Sequence, residues 1–148
     1  MDGLYFVDTN VFLEWVLGRA HAKECEQLMR AVQEKKLNAV CSLFSVYSAC
    51  ILLTSKGKEE VAGKFMDYVS GLENLVVIPT TPLENAKIIG QMKEHKLDFD
   101  DALQLYIYKK HGCEAIITLD KDFGKTDAKT ATPGQIAEKL LEEEMEQE

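Results

Sequence analysis

Leu4-Tyr5-Phe6-Val7-Asp8-Thr9-Asn10-Val11-Phe12-Leu13 passes from a short apolar run, through an acid and two cap-forming residues, into a second apolar stretch. Leu4 to Val7 has the length and residue types of a buried strand. Thr9 and Asn10 favour a helix start, and Val11 to Leu17 then open a helix. A strand that ends in an acid and turns straight into a helix is the opening unit of an α/β fold. It places Asp8 at the carboxyl end of the first strand.

The same unit recurs along the chain. A helix is expected from about His21 to Lys35, with Cys25, Leu28, Met29 and Val32 on one face. Asn38 to Ser42 reads as a second strand, with Ser42 capping a helix over Phe44 to Thr54. Lys56-Gly57-Lys58 breaks that helix, and Glu59 to Ser70 begins another with Val61, Phe65, Met66 and Val69 at helical spacing. Leu75 to Ile78 is a third strand. Thr81-Pro82 with Glu84 has the pattern of a capping start, and its helix ends near His95. The next helix runs from about Phe99 to His111 and is closed by Gly112. Ala115 to Leu119 is a fourth strand that again ends in an acid, Asp120. Lys129 to Ala131 reads as a brief fifth strand, and Thr132-Pro133 starts a last helix with Ile136, Leu140 and Leu141 on its buried side.

Short continuous apolar strands alternating with amphipathic helices require a parallel sheet covered on both faces. The expected fold is a three-layer α/β/α domain, a doubly wound sheet of four to five parallel strands. One domain accounts for residues 1–148, with an acidic helix end at about 142–148. Sheets of this kind bind ligands outside the carboxyl ends of their strands, at the point where strand order reverses.

Composition narrows the function classes. With 46% hydrophobic and 28% charged residues the chain is a folded protein rather than a disordered one. No apolar run approaches the roughly 20 residues of a membrane span. Met1 to Val7 lacks a basic leader region, so a cytoplasmic location is expected. Cys25, Cys41, Cys50 and Cys113 have no CxxC pairing or zinc-like spacing and are expected to be reduced structural thiols. His21, His95 and His111 each adjoin polar residues and are expected at the surface. A net charge of −8 argues against global attraction to nucleic acid. A phosphate-bearing partner would need local positive charge or bound metal.

Asp8 and Asp120 share one rim of such a sheet. Asp101 opens the helix that leads into the fourth strand, with Asp98 and Asp100 just before it. Each has an ordinary structural explanation: a helix macrodipole for Asp100 or Asp101, a cap for Asp8, a turn for Asp120. Several acids at one rim repel one another unless a cation lies between them. Hard oxygen ligands without nitrogen or thiol select Mg²⁺ or Mn²⁺ over zinc, and such ions suit phosphodiester hydrolysis. No Ser-His-Asp, Cys-His, Walker or GxGxxG pattern offers another nucleophile or cofactor. A haloacid-dehalogenase-like enzyme would use Asp8 as nucleophile with a second Asp two residues on, where this chain has Asn10.

The strings Phe-Val-Asp8-Thr9-Asn10-Val-Phe-Leu, Asp100-Asp101-Ala102-Leu103 and Ile-Ile-Thr118-Leu-Asp120-Lys-Asp122-Phe123 resemble a PIN domain. They are similar in particular to the short prokaryotic kind that includes the VapC toxins. The resemblance spans nearly the whole chain, including the Thr132-Pro133 helix start. It implies a Mg²⁺- or Mn²⁺-dependent ribonuclease, commonly homodimeric, with RNA as substrate and an antitoxin protein as partner. Residue by residue, Asp8, Asp101 and Asp120 match the family's catalytic metal-binding acids. Thr118 matches its small hydroxyl residue and Asn10 its polar residue beside the first acid, while Asp122 is an extra ligand.

One position departs from the family. The usual Glu on the helix after the second strand is replaced by Ser48, and no acid occurs between Asn38 and Lys58. Loss of a carboxylate weakens the binding of a hard cation. Three readings stay open: Glu14, Asp98, Asp100 and Asp122 restore the charge, Ser48 holds a metal-bound water, or the domain binds RNA or a protein partner without cleaving. Arg19, Lys121 and Lys125 are the basic residues nearest the rim and the candidates for RNA contact. Tyr47 and Tyr106, at helical spacing, are expected in the core.

Overall fold

The structure is a computed structural model that describes residues 2–147. Met1 and Glu148, the outermost residues of the expected start and acidic tail, lie outside the described residues. In chain order the elements are β1 (Leu4–Val7), α1 (Thr9–Val16), α2 (Ala22–Gln33), β2 (Asn38–Ser42), α3 (Leu43–Ser55), α4 (Glu59–Ser70), β3 (Leu75–Ile78), α5 (Pro82–His95), α6 (Phe99–Lys110), β4 (Ala115–Ile117), β5 (Thr130–Ala131) and α7 (Pro133–Glu146). A short 3-10 turn, Asp122–Lys125, separates β4 from β5.

The five strands form one sheet in the order β3-β2-β1-β4-β5, and every pairing is parallel. The chain winds outward from β1 through β2 to β3, then returns to place β4 on the other side of β1. The switch point therefore lies between β1 and β4, where Val7 is in register with Ile117.

Side-chain alternation along the strands supplies both faces of the sheet. Tyr5, Val7, Ala39, Cys41 and Ile117 join Phe12, Leu28, Met29, Phe65 and Ile136 in one core, against α1, α2, α3, α4 and α7. Phe6, Val40 and Ile116 point the other way, into a smaller core with Ile88, Leu103, Ile107 and Phe123 beneath α5 and α6. Phe6 is fully buried, and truncating such a ring to Ala costs about 3–5 kcal/mol.

The helix ends follow the expected chemistry. Thr81 and Glu84 form a reciprocal capping box at the start of α5, with Pro82 in the first turn. Thr132 and Gln135 do the same at α7. Ser42 caps α3 through the Ser45 N–H, 2.9 Å away. Gly112 follows α6 with φ +61°, the left-handed region that glycine adopts freely.

Several expectations need correction. β4 ends at Ile117 rather than Leu119, and β5 begins at Thr130 rather than Lys129. Leu141 is 58% exposed: Ile136 and Leu140 share a face, and Leu141 is turned away from it by one helical step. Met66 stands beside buried Phe65 in the same way and faces outward. Tyr47 is 53% exposed, because α3 buries Ser45, Val46, Ala49 and Leu53 instead. Tyr106 is half-buried, its hydroxyl donating to Glu84 at 2.6 Å. His21 and His111 are exposed, but His95 is half-buried. All four cysteines are unpaired. Burial pushes Cys25 and Cys41 up to about 12 and Cys113 to about 11, which makes these thiols unreactive. Among the described residues no helix is long and apolar enough to cross a membrane.

Candidate metal centre

Asp8 leaves the end of β1 at the N-cap position of α1 and is buried. Its backbone N–H donates to the Ile117 carbonyl at 3.0 Å, so the sheet fixes it beside β4. Its Oδ2 accepts the Thr118 hydroxyl at 2.7 Å. Burial raises the carboxyl above its ordinary range, and the charge of Asp120 adds to this. Donors at Thr118 and Gln104 and the Asn10 N–H oppose the rise. The N–H of Asn10 lies close enough to favour the charged form, yet Asp8 makes no side-chain bond that caps its own helix.

Thr118 joins two of the acids. While its hydroxyl proton goes to Asp8, its oxygen accepts the Asp120 N–H at 2.9 Å. Asp120 in turn accepts the Asp122 N–H at 3.0 Å, which starts the 3-10 turn. The short β4 is what permits this, since the three residues after Ile117 form a hydrogen-bonded hook instead of extended strand.

The third contribution comes from the amino end of α6. Asp98 is its N-cap and accepts the Asp101 N–H at 2.9 Å, so Asp98 is occupied by the helix. Asp101 is buried, and burial together with the charges of Asp98, Asp8, Asp120 and Asp100 pushes it up to about 7. Asp100 is raised to about 6 by burial and by Asp8, and its Oδ1 is buried without a hydrogen-bond partner. Carboxyls raised first by burial and then by one another form a site that a cation relieves.

Of the expected acids, Asp101, Asp120 and Asp122 lie tightest, each offering an oxygen within 4.8 Å of the others. Asp122, expected only as an extra ligand, is thus in the cluster, while Asp8 lies outside this trio and is coupled to it through Thr118. Hard carboxylate oxygens at this spacing fit one divalent ion with Mg²⁺- or Ca²⁺-like ligand distances of about 2.1–2.5 Å. The donor set contains no thiol or imidazole, which favours Mg²⁺ or Mn²⁺ over zinc.

A buried polar chain behind the acids was not foreseen from the sequence. The Thr9 hydroxyl lies 2.5 Å from Ser45 Oγ, which lies 2.7 Å from Ser42 Oγ. The Thr9 N–H donates to Gln104 Oε1 at 3.2 Å, whereas Gln104 Nε2 has no partner. An unsatisfied buried donor of this kind costs about 1–3 kcal/mol. The available signal was Gln104 itself, a polar residue between Leu103 and Leu105 in an apolar-patterned helix. Ser48 stands one turn beyond Ser45 on α3 and is half-buried.

An open groove of about 550 Å³ adjoins the acids, lined by Asn10, Glu14, Arg19, Leu119, Asp120 and Lys121. Arg19 and Lys121 are exposed and flank Asp120. Lys125 is exposed at the end of the 3-10 turn and does not line this groove. Glu14 accepts the His21 N–H at 2.9 Å, so one of its oxygens already holds the α1–α2 connection.

The family model of the PIN domain matches residues 5–129. A ribonuclease VapC1 of Aquifex aeolicus (strain VF5) is 28% identical over 137 residues, which cover 90% of this chain and 93% of that protein. Among solved structures, VapC20 of Mycobacterium tuberculosis, described as a sarcin-ricin loop cleaving toxin, superposes with TM-score 0.70 at 17% identity, over 84% of this chain and 95% of that one. A toxin–antitoxin complex from Klebsiella pneumoniae contains a chain with TM-score 0.63 and 22% identity, covering 87% of this chain and 97% of its own. At these identities the structures speak to the fold alone.

Proposed function

Because this chain belongs to the PIN domain family, we propose that it is a Mg²⁺- or Mn²⁺-dependent endoribonuclease of the VapC kind. The observation that carries the reading is the placement of four acids, Asp8, Asp101, Asp120 and Asp122, around the switch point of the sheet beside a groove with Arg19 and Lys121.

Asp101, Asp120 and Asp122 hold the ion, with Asp8 completing the set from behind. When bound, the ion supplies Lewis acidity to the scissile phosphate and to the attacking water. The rest falls to the chain. Thr118 fixes Asp8 against Asp120, and Asp98 fixes the turn from which Asp101 projects. Arg19 and Lys121 bind the phosphates on either side of the cleaved bond; such contacts position a strand without reading its sequence. They also supply the local positive charge that a chain of net charge −8 otherwise lacks.

Two assembly features accompany this reading. The exposed stripe Phe44, Tyr47 and Ile51 along α3 supports a homodimer. The likeness to a chain from a toxin–antitoxin complex supports an antitoxin partner.

Incubation with RNA and Mn²⁺ tests the function. Cleavage that disappears on chelation and falls by more than about 100-fold in Asp101→Asn is expected, a larger loss than a supporting residue gives. Metal-independent cleavage, or full activity in Asp101→Asn, would refute it. A second reading, a PIN domain that binds RNA or a protein partner without cleaving, is favoured by Ser48 and predicts weak Mn²⁺ binding with no cleavage; tight, Asp101-dependent binding would count against it.

A further inference from the structure

A helix-capping acid ordinarily spends a carboxylate oxygen on the N–H of the second or third helical residue. Asp8 occupies that position in α1 and makes no such bond. The third helical N–H, that of Val11, goes to the Asp8 backbone carbonyl at 3.0 Å, and the first, that of Thr9, to Gln104 Oε1 from α6, across 95 residues of sequence. Gln104 is wholly buried, and its Nε2 has no partner. That amide lies close enough to Asp8 to favour the charged form of its carboxylate, without reaching hydrogen-bond geometry. A position that served packing alone would carry an aliphatic residue, as Leu103 and Leu105 do on either side.

We propose that Gln104 is the positioning residue for Asp8. Its carbonyl holds the Thr9 N–H, which fixes the Gln104 side chain next to Asp8, whose carboxylate no cap bond engages. Its amide, which has no other partner, is the donor on the α6 side of that carboxylate, which with Asp101 and Asp120 would help hold a divalent ion. Metal-ligating carboxylates are oriented by such outer hydrogen bonds. Thr118 holds Asp8 from the β4 side, and Gln104 holds it from the α6 side. The proposal rests on the reading of these acids as a metal centre.

Gln104→Met keeps the side-chain length and removes both polar atoms. Calorimetric titration with Mn²⁺ is expected to give an affinity about tenfold below that of the unaltered protein. RNA cleavage should lose kcat with KM for RNA unchanged. A merely structural role, closing the Thr9 N–H, would lower the melting temperature and leave Mn²⁺ affinity intact. Equal Mn²⁺ affinity in the two proteins overturns the proposal and leaves the metal centre standing. Absence of Mn²⁺ binding in the unaltered protein overturns both. If Gln104→Met does not fold, the Gln104 side-chain NH₂ signals of the unaltered ¹⁵N-labelled protein decide: they shift and saturate with added Mg²⁺, or they stay fixed and the proposal fails.

Discussion

At the start of α5, the Glu84 carboxylate accepts the Thr81 N–H at 3.0 Å, the Tyr106 hydroxyl at 2.6 Å and the Lys110 ammonium at 3.0 Å. At the starts of α1 and α6, Asp8, Asp100 and Asp101 face one another with fewer donors than they have oxygens. The consequence is opposite in sign. Bonds from Tyr106 and Lys110 hold Glu84 down at about 2, whereas burial and neighbouring acids push Asp101 up to about 7. An acid surrounded by donors is consumed by the fold. Acids gathered with few donors keep lone pairs for something the chain does not supply.

The contrast is open to attack by pH. A carboxylate must be ionised to bind a cation. With Asp101 at about 7, Mn²⁺ affinity is expected to fall roughly 20-fold between pH 7.5 and pH 5.5; a flat calorimetric profile would break the comparison. The two regions also act oppositely on stability. The raised Asp101 adds stability that is fully present below its ordinary 3.8 and lost as pH rises through about 7. The depressed Glu84 adds stability that is present above its ordinary 4.5 and lost as pH falls toward 2. Melting curves of the metal-free protein across pH measure both limbs, and Mn²⁺ should restore the alkaline one.

A substitution at Ser48 sharpens the same contrast. Ser48→Glu adds a carboxylate one turn beyond Ser45 on α3, at the position where the resemblance to the family implies one. Mn²⁺ affinity is expected to rise about tenfold as ligand charge increases, while the metal-free protein melts lower at pH 8. Unchanged affinity would mean that Asp122 already supplies what Ser48 lacks.

The smallest effect belongs to the satisfied region. Thr81→Ala removes one half of the capping box and should cost about 1 kcal/mol, or roughly 2–4 °C in melting temperature. Mn²⁺ affinity should not move. A change in metal binding would mean that the two regions are coupled through the α5–α6 hairpin.

Features governed by neighbours in sequence were the legible ones. Thr81-Pro82, Thr132-Pro133 and Gly112 marked helix ends because capping needs only three or four consecutive residues. Leu4–Val7 was legible as a strand because both faces of a parallel sheet are dry. The side chains of α3 were not, since Phe44, Tyr47 and Ile51 are as apolar as the residues it buries. Periodicity has no contrast to work on there. Asp8, Asp101 and Asp120 could be placed at one rim from topology, but the closeness of Asp122 depends on the hook after Ile117, which begins where the expected strand should have continued. Gln104 stands out in the sequence as a polar residue between two leucines, but its role was not legible because its partner, Thr9, is 95 positions away.

The Thr118 hydroxyl has a single proton, and its oxygen already accepts from Asp120. That proton is therefore committed to Asp8 Oδ2, and a proton taken up by Asp8 is directed to Oδ1. A hydrogen ion and a divalent cation then compete for the same atom. One side-chain hydroxyl thus sets proton and metal against each other on the other oxygen of Asp8.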